Sequence, residues 1–197
     1  MSDFDLNKHT FRLLRNEPFF SAVSRRVNKS PSTAIPTAGV KLNKDTAQFE
    51  MIYNPEFFSK LSDEHKQGVL MHEFYHIIYG HITDRLPEGG MSKLWNIATD
   101  LAINSHLVGK LPEGCCMPGV KPFESYPSGK AAEWYFEKLK QDQQGGEGPF
   151  SNEGQPQDGD GDGEGQGQGG GQPGENGEPS NGGGGLPDTL DDIAVGV

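Results

Sequence analysis

The five residues His72-Glu73-Phe74-Tyr75-His76 constrain this chain more than any other stretch. On an α-helix of 3.6 residues per turn, positions i and i+4 differ by about 40° in azimuth, so both imidazoles leave one face and can meet at one point. Glu73, one residue along, stands beside that point rather than on it. Val69, Leu70, Ile77 and Ile78 supply the apolar positions of a helix. Ser62, Asp63 and Glu64 supply its start, with a side-chain acceptor for a free backbone N–H and two acids at the positive end of the helix dipole. The spacing predicts a helix over 62–80 whose two histidines bind one Zn2+.

A catalytic zinc needs a third protein ligand and an open position for water. Two residues are candidates. Asp100 lies in Trp95-Asn96-Ile97-Ala98-Thr99-Asp100-Leu101-Ala102-Ile103-Asn104, where Asn96, Asp100 and Asn104 form a polar stripe at i, i+4 and i+8 on an otherwise apolar helix. A buried polar stripe needs partners. Packing this helix on the first lets Asp100 reach the metal while Asn104 or Asn96 orients a ligand from behind. His81 is the alternative. Nine steps of 100° put it about 180° from His72, so it can serve only if the helix unwinds at Gly80.

Composition separates the chain into two parts. All 17 Lys and Arg fall in 1–140, together with 16 of the 28 acids, whereas 141–197 holds 12 acids and no base. The net charge of −11 therefore belongs to the second part, as do most of the glycines. Residues 141–185 offer almost nothing to bury and are expected to be a disordered, acidic, Gly-rich linker. Asp158, Asp160 and Asp162 imitate the start of a calcium loop, but Gly169 stands where a bidentate Glu is required. Residues 186–197 are slightly apolar and too short to fold alone: a docking peptide, a frayed terminus or the stump of something longer. The folded domain is expected within 1–140.

The same arithmetic excludes several functions. A near-neutral domain with an acidic tail lacks the Lys and Arg cluster that phosphate binding needs, so nucleic acid is not an expected partner. No stretch approaches the roughly 20 apolar residues of a membrane span, and the N-terminus has no signal-peptide pattern. Cys115 and Cys116 are adjacent and fit a reducing compartment, so the expected location is cytoplasmic. The acidic tail suits a basic partner.

Along the domain, 4–28 read as one or two amphipathic helices broken near Pro18, and 30–36 as turn. Within 39–53, Phe49, Met51 and Tyr53 alternate after an Asn43-Lys44-Asp45 turn, which predicts a hairpin whose second strand could lie along a cleft as an edge and pair with an extended peptide. Pro55 opens a short helical turn. The second long helix should run from 92 to 109, 111–128 should be loop, and a last helix over 130–140 should bury Trp134, Tyr135, Phe136 and Leu139. The expected class is α+β, with a helical N-terminus, a small hairpin or sheet, and the histidine-bearing helix packed on a second helix.

This constellation suits amide hydrolysis. Zinc acidifies its water, Glu73 accepts the proton as that water attacks a carbonyl, and the substrate is a peptide or protein. His106, Tyr126 and Arg85 are candidates for stabilising the oxyanion. Two other readings stay open: a zinc-stabilised, catalytically inactive interaction module with an acidic tether, and an acidic adaptor with no metal.

The runs Tyr53-Asn54-Pro55-Glu56-Phe57-Phe58, Val69 to His76 with Gly80-His81 and Arg85, Trp95 to Asp100 with Ile103-Asn104, and Ala132-Glu133-Trp134-Tyr135 occur in order. Together they resemble the "putative metallopeptidase domain" family of bacterial and phage proteins, often associated with von Willebrand factor A-like regions. The resemblance covers about 10–140. It implies a zincin-like fold, with His72 and His76 as ligands and Glu73 as catalytic acid.

Overall fold

The computed structural model describes residues 4–146, 149 and 194–196. Two helices open the chain, α1 (Leu6–Asn16) and α2 (Phe20–Ser24), and the break between them falls at Pro18 as expected. Strands β1 (Val27–Pro31), β2 (Ala38–Asn43) and β3 (Gln48–Tyr53) follow. Then come α3 (Pro55–Lys60), α4 (Asp63–Ile78), α5 (Lys93–Asn104), α6 (Ala132–Gly145) and the short strand β4 (Ala194–Gly196). The class is α+β. Expectations for 1–3, 147–148, 150–193 and 197, including the disordered linker, lie outside the described residues.

The sheet order is β1-β3-β2-β4. β2 and β3 form the expected hairpin in antiparallel register from Ala38↔Tyr53 to Asn43↔Gln48, and the Asn43 side chain accepts from the amides of Asp45 and Thr46 to shape its turn. β3 is not an edge. On its other side β1 runs parallel to it, Val27 opposite Phe49 through Pro31 opposite Tyr53, so its backbone is paired on both sides. This corrects the expectation that 49–53 could offer a free edge to a peptide. β1 escapes sequence reading because Val27 is its one buried residue and Pro31 closes it, which is what an edge strand tolerates.

α4 starts where its signals place it: the Ser62 side chain accepts from the His65 amide, with Asp63 and Glu64 in the first turn. It ends at Ile78 in a Schellman arrangement. Gly80 takes φ of 68°, its amide donates to the Ile77 carbonyl at 3.1 Å, and the His81 amide donates to the His76 carbonyl at 3.0 Å. α4 is buried nearly all round. Val69, Leu70 and Phe74 join Leu6, Leu13, Phe20, Val40, Met51 and Phe58 in one core. Gly68 lets the helix touch the chain after α5, since a Cβ there would sit 1.9 Å from the Lys110 carbonyl oxygen.

α5 is shorter than expected, because amides of His106 and Leu107 turn back to Ile103 and Asn104 in tight i→i−3 bonds. Its Ile103 belongs to the first core. Its Trp95, Ala98 and Leu101 pack with Phe123, Tyr126, Tyr135 and Leu139 in a second. α6 buries Ala132, Tyr135 and Leu139, whereas Trp134 is 39% exposed, so the aromatic run straddles two faces rather than filling one. The polar side of α5 is left facing α4 at the junction of the two cores.

Candidate metal centre

Three side chains meet at that junction. His72 and His76 project from α4 one turn apart, with Nε2 atoms 3.0 Å from each other. Asp100 reaches across from α5 and sets Oδ1 3.4 Å from the His72 Nε2 and 3.2 Å from the His76 Nε2. Both histidines are fully buried and Asp100 is 5% exposed. Among the described residues, this is the group of His, Cys, Asp and Glu side chains whose atoms converge closely enough to hold a metal ion.

The tautomer of His72 follows from its neighbour. The Asn104 amide nitrogen donates to the Cys116 carbonyl at 2.8 Å, which turns Asn104 Oδ1 toward His72 Nδ1 at 2.7 Å. A carbonyl oxygen only accepts, so Nδ1 carries the proton and Nε2 presents its lone pair to His76 and Asp100. Two facing imidazole nitrogens and a carboxylate then supply more acceptor capacity than protons to satisfy it. Asp100 Oδ1 meets none of its neighbours in a well-formed hydrogen bond. A buried knot of lone pairs of this kind fits a cation.

Ionisation follows from burial and neighbours. Burial alone would raise Asp100, but in the metal-free chain the hydrogen bonds and positive charge that His72 and His76 offer when protonated outweigh that and hold it below the usual carboxylate range. Glu73 has less help, since His72 favours its charged form while Asp100 opposes it. Both of its oxygens are buried without a hydrogen-bond partner, and burial pushes its carboxyl up to about 8.

His81 comes near this group without joining it. The left-handed turn at Gly80 swings its ring to 5.5 Å from the His76 ring and 6.0 Å from Trp95, whose indole N–H donates to the His81 carbonyl. Burial drives this imidazole down to about 2, so it stays neutral.

Of the three oxyanion candidates, Arg85 and His106 line one cavity with His81, and Tyr126 does not. Arg85 forks onto Glu133 at 2.8 and 2.6 Å, the Tyr126 hydroxyl donates to Asp142 at 2.8 Å, and His106 is exposed. The Cys116 carbonyl was invisible to sequence reading, since every residue has a carbonyl and only the fold says which one Asn104 meets.

Two packed helices thus aim two imidazoles and a carboxylate at one buried point that could hold a metal ion. The chain belongs to the family described as "Putative metallopeptidase domain", whose model matches residues 4–192. It is also 30% identical over 103 residues to an uncharacterized protein of Thermotoga maritima. That alignment takes in 52% of this chain and 25% of the relative, so the chain spans a minor part of that protein's length. No solved structure matches the chain. Among the described residues, no helix is long and apolar enough to cross a membrane.

Proposed function

We propose that this protein is a zinc-dependent peptidase with a zincin-like domain, in which His72, His76 and Asp100 hold the metal and Glu73 moves the proton. The observation that carries this reading is the spacing of the three donors. Bonds of about 2.0–2.1 Å in a tetrahedral site put neighbouring ligand atoms about 3.3 Å apart. The separations here are 3.0, 3.2 and 3.4 Å. Three protein ligands leave a fourth position, as hydrolytic sites require.

Zinc held there supplies Lewis acidity, making water a stronger acid and polarising a carbonyl. The residues of this chain do the rest. Asn104 fixes the His72 ring so that Nε2 faces inward. Glu73 takes the proton from the attacking water and returns it to the amide nitrogen as the C–N bond breaks. Burial raises the Glu73 carboxyl to about 8 in the metal-free chain; the charge of a zinc ion beside it would favour the carboxylate form that accepts the proton. The substrate class is a peptide or protein. Half-buried free thiols at Cys115 and Cys116 suit a reducing compartment such as the cytoplasm.

The test pairs metal content with turnover in Glu73→Gln. Zinc should stay at one per chain while hydrolysis of a peptide library falls about 10²- to 10⁴-fold. Undiminished hydrolysis would remove Glu73 from the chemistry. Zinc without hydrolysis in the unaltered chain would favour the inactive, zinc-stabilised module.

A further inference from the structure

β2 has two backbone edges, and β3 takes one of them. The other is taken at its first half by β4, antiparallel, with Ala38 opposite Gly196, Gly39 opposite Val195 and Val40 opposite Ala194. Burial follows the pairing: residues 38–40 are buried and 41–43 are half-exposed. β4 also packs against α4 and α5, the two helices that carry the metal-binding cluster, and α4 itself packs against β2. The strand thus pairs with β2 while touching both helices that carry the site. His72, Glu73 and His76 are completely shut off from solvent, although a hydrolytic site must admit a peptide.

We infer that the β2 edge at 38–40 is a binding strand for an extended peptide, and that residues 194–196 of this chain are its resident occupant, closing the approach to His72, His76 and Asp100. An unpaired strand edge recruits any extended backbone, because the ladder reads N–H and C=O groups rather than side chains. A strand supplied by the same chain competes with free peptide at an effective concentration of order millimolar. Its hold is nevertheless short. Three residue pairs lose to a longer peptide that also runs along 41–43, so the occupant delays access without barring it. The consequence for hydrolysis rests on the peptidase reading; the pairing does not.

The test uses the full chain with Ala194→Pro and Val195→Pro together. Consecutive strand residues point their N–H groups to opposite edges, so two adjacent prolines remove at least one donor to β2 in either case. Glu73→Gln is placed in both backgrounds so that cleavage cannot obscure binding. Hydrogen exchange should speed up in the diproline chain at those amides of 38–40 that face β4, while the amides facing β3 and those of 49–52 stay protected. A fluorescein-labelled peptide of residues 190–197 should bind the diproline chain at least about tenfold more tightly than the unaltered one, and a peptide carrying the same two prolines should not bind.

Equal affinities with unchanged exchange at 38–40 would overturn the inference. If the diproline chain does not fold, the peptide is titrated against the unaltered chain to millimolar concentration. Faster exchange at 194–196 would then support displacement, and none would refute it. With Glu73 restored and zinc present, binding without cleavage sinks the peptidase reading and leaves the binding strand standing.

Discussion

Replacing Asn104 by Ala isolates a polar residue that is hydrogen-bonded to a proposed ligand without being one. Its amide accepts from His72 Nδ1 and donates to the Cys116 carbonyl. Truncation removes both bonds and strands the His72 N–H in a fully buried place. A stranded buried donor costs about 1–3 kcal/mol, and the second bond and lost packing bring the total to about 2–4 kcal/mol. That is a large part of the roughly 5–15 kcal/mol a domain has in hand. The ring would also lose its fixed tautomer, which typically weakens metal binding about 10- to 100-fold.

The assay is zinc competition against a chromophoric chelator, alongside urea unfolding of the metal-free chain. Asn104→Asp separates positioning from mere filling. Its carboxylate still accepts from His72 Nδ1, so zinc affinity should stay well above that of Asn104→Ala. It cannot donate to Cys116, so metal-free stability should fall in both variants. Equal loss of zinc affinity in the two variants, or an Asn104→Ala chain within about twofold of the unaltered one, would refute the positioning argument.

Other outcomes follow from the same geometry. Gly68→Ala should destabilise by about 1–3 kcal/mol or more, despite the better helix propensity of Ala, because its Cβ would fall 1.9 Å from the Lys110 carbonyl oxygen and backbone must move; a denaturation midpoint at or above that of the parent would contradict this. In the metal-free chain Glu73 rises from the ordinary carboxylic range to about 8. Between about pH 4.5 and 8 the folded state therefore binds a proton that the unfolded state has released, and its contribution to stability declines as pH rises, by a few kcal/mol at most. Glu73→Gln should flatten that slope in melting curves recorded with chelator, and parallel curves for the two chains would count against it. Zinc at 100 times its dissociation constant should add about 2.7 kcal/mol and raise the melting temperature by about 8 °C, reversed by chelator. An unchanged melting curve on adding zinc would mean that the cluster does not bind it.

Local signals carried far in some places and failed in others for identifiable reasons. Ser62, the apolar spacing after it and Gly80 bound α4 to within two residues, since capping and left-handed turns are local chemistry. The i+4 spacing of His72 and His76 fixed their common face for the same reason, and the stripe of Asp100 and Asn104 announced that α5 has a polar side needing company.

Helix spacing favoured Asp100 over His81 as third donor, but the sequence could not show which of the two would lie beside His72 and His76. That choice depends on the angle at which α5 crosses α4 and on where Gly80 throws the chain, both set by packing around Ile103, Trp95 and Phe74. Nor could it order the sheet, because pairing is between backbones that look alike in every residue. β1 beside β3, and residues 194–196 beside β2, are contacts between distant parts of the chain that only the folded structure brings together.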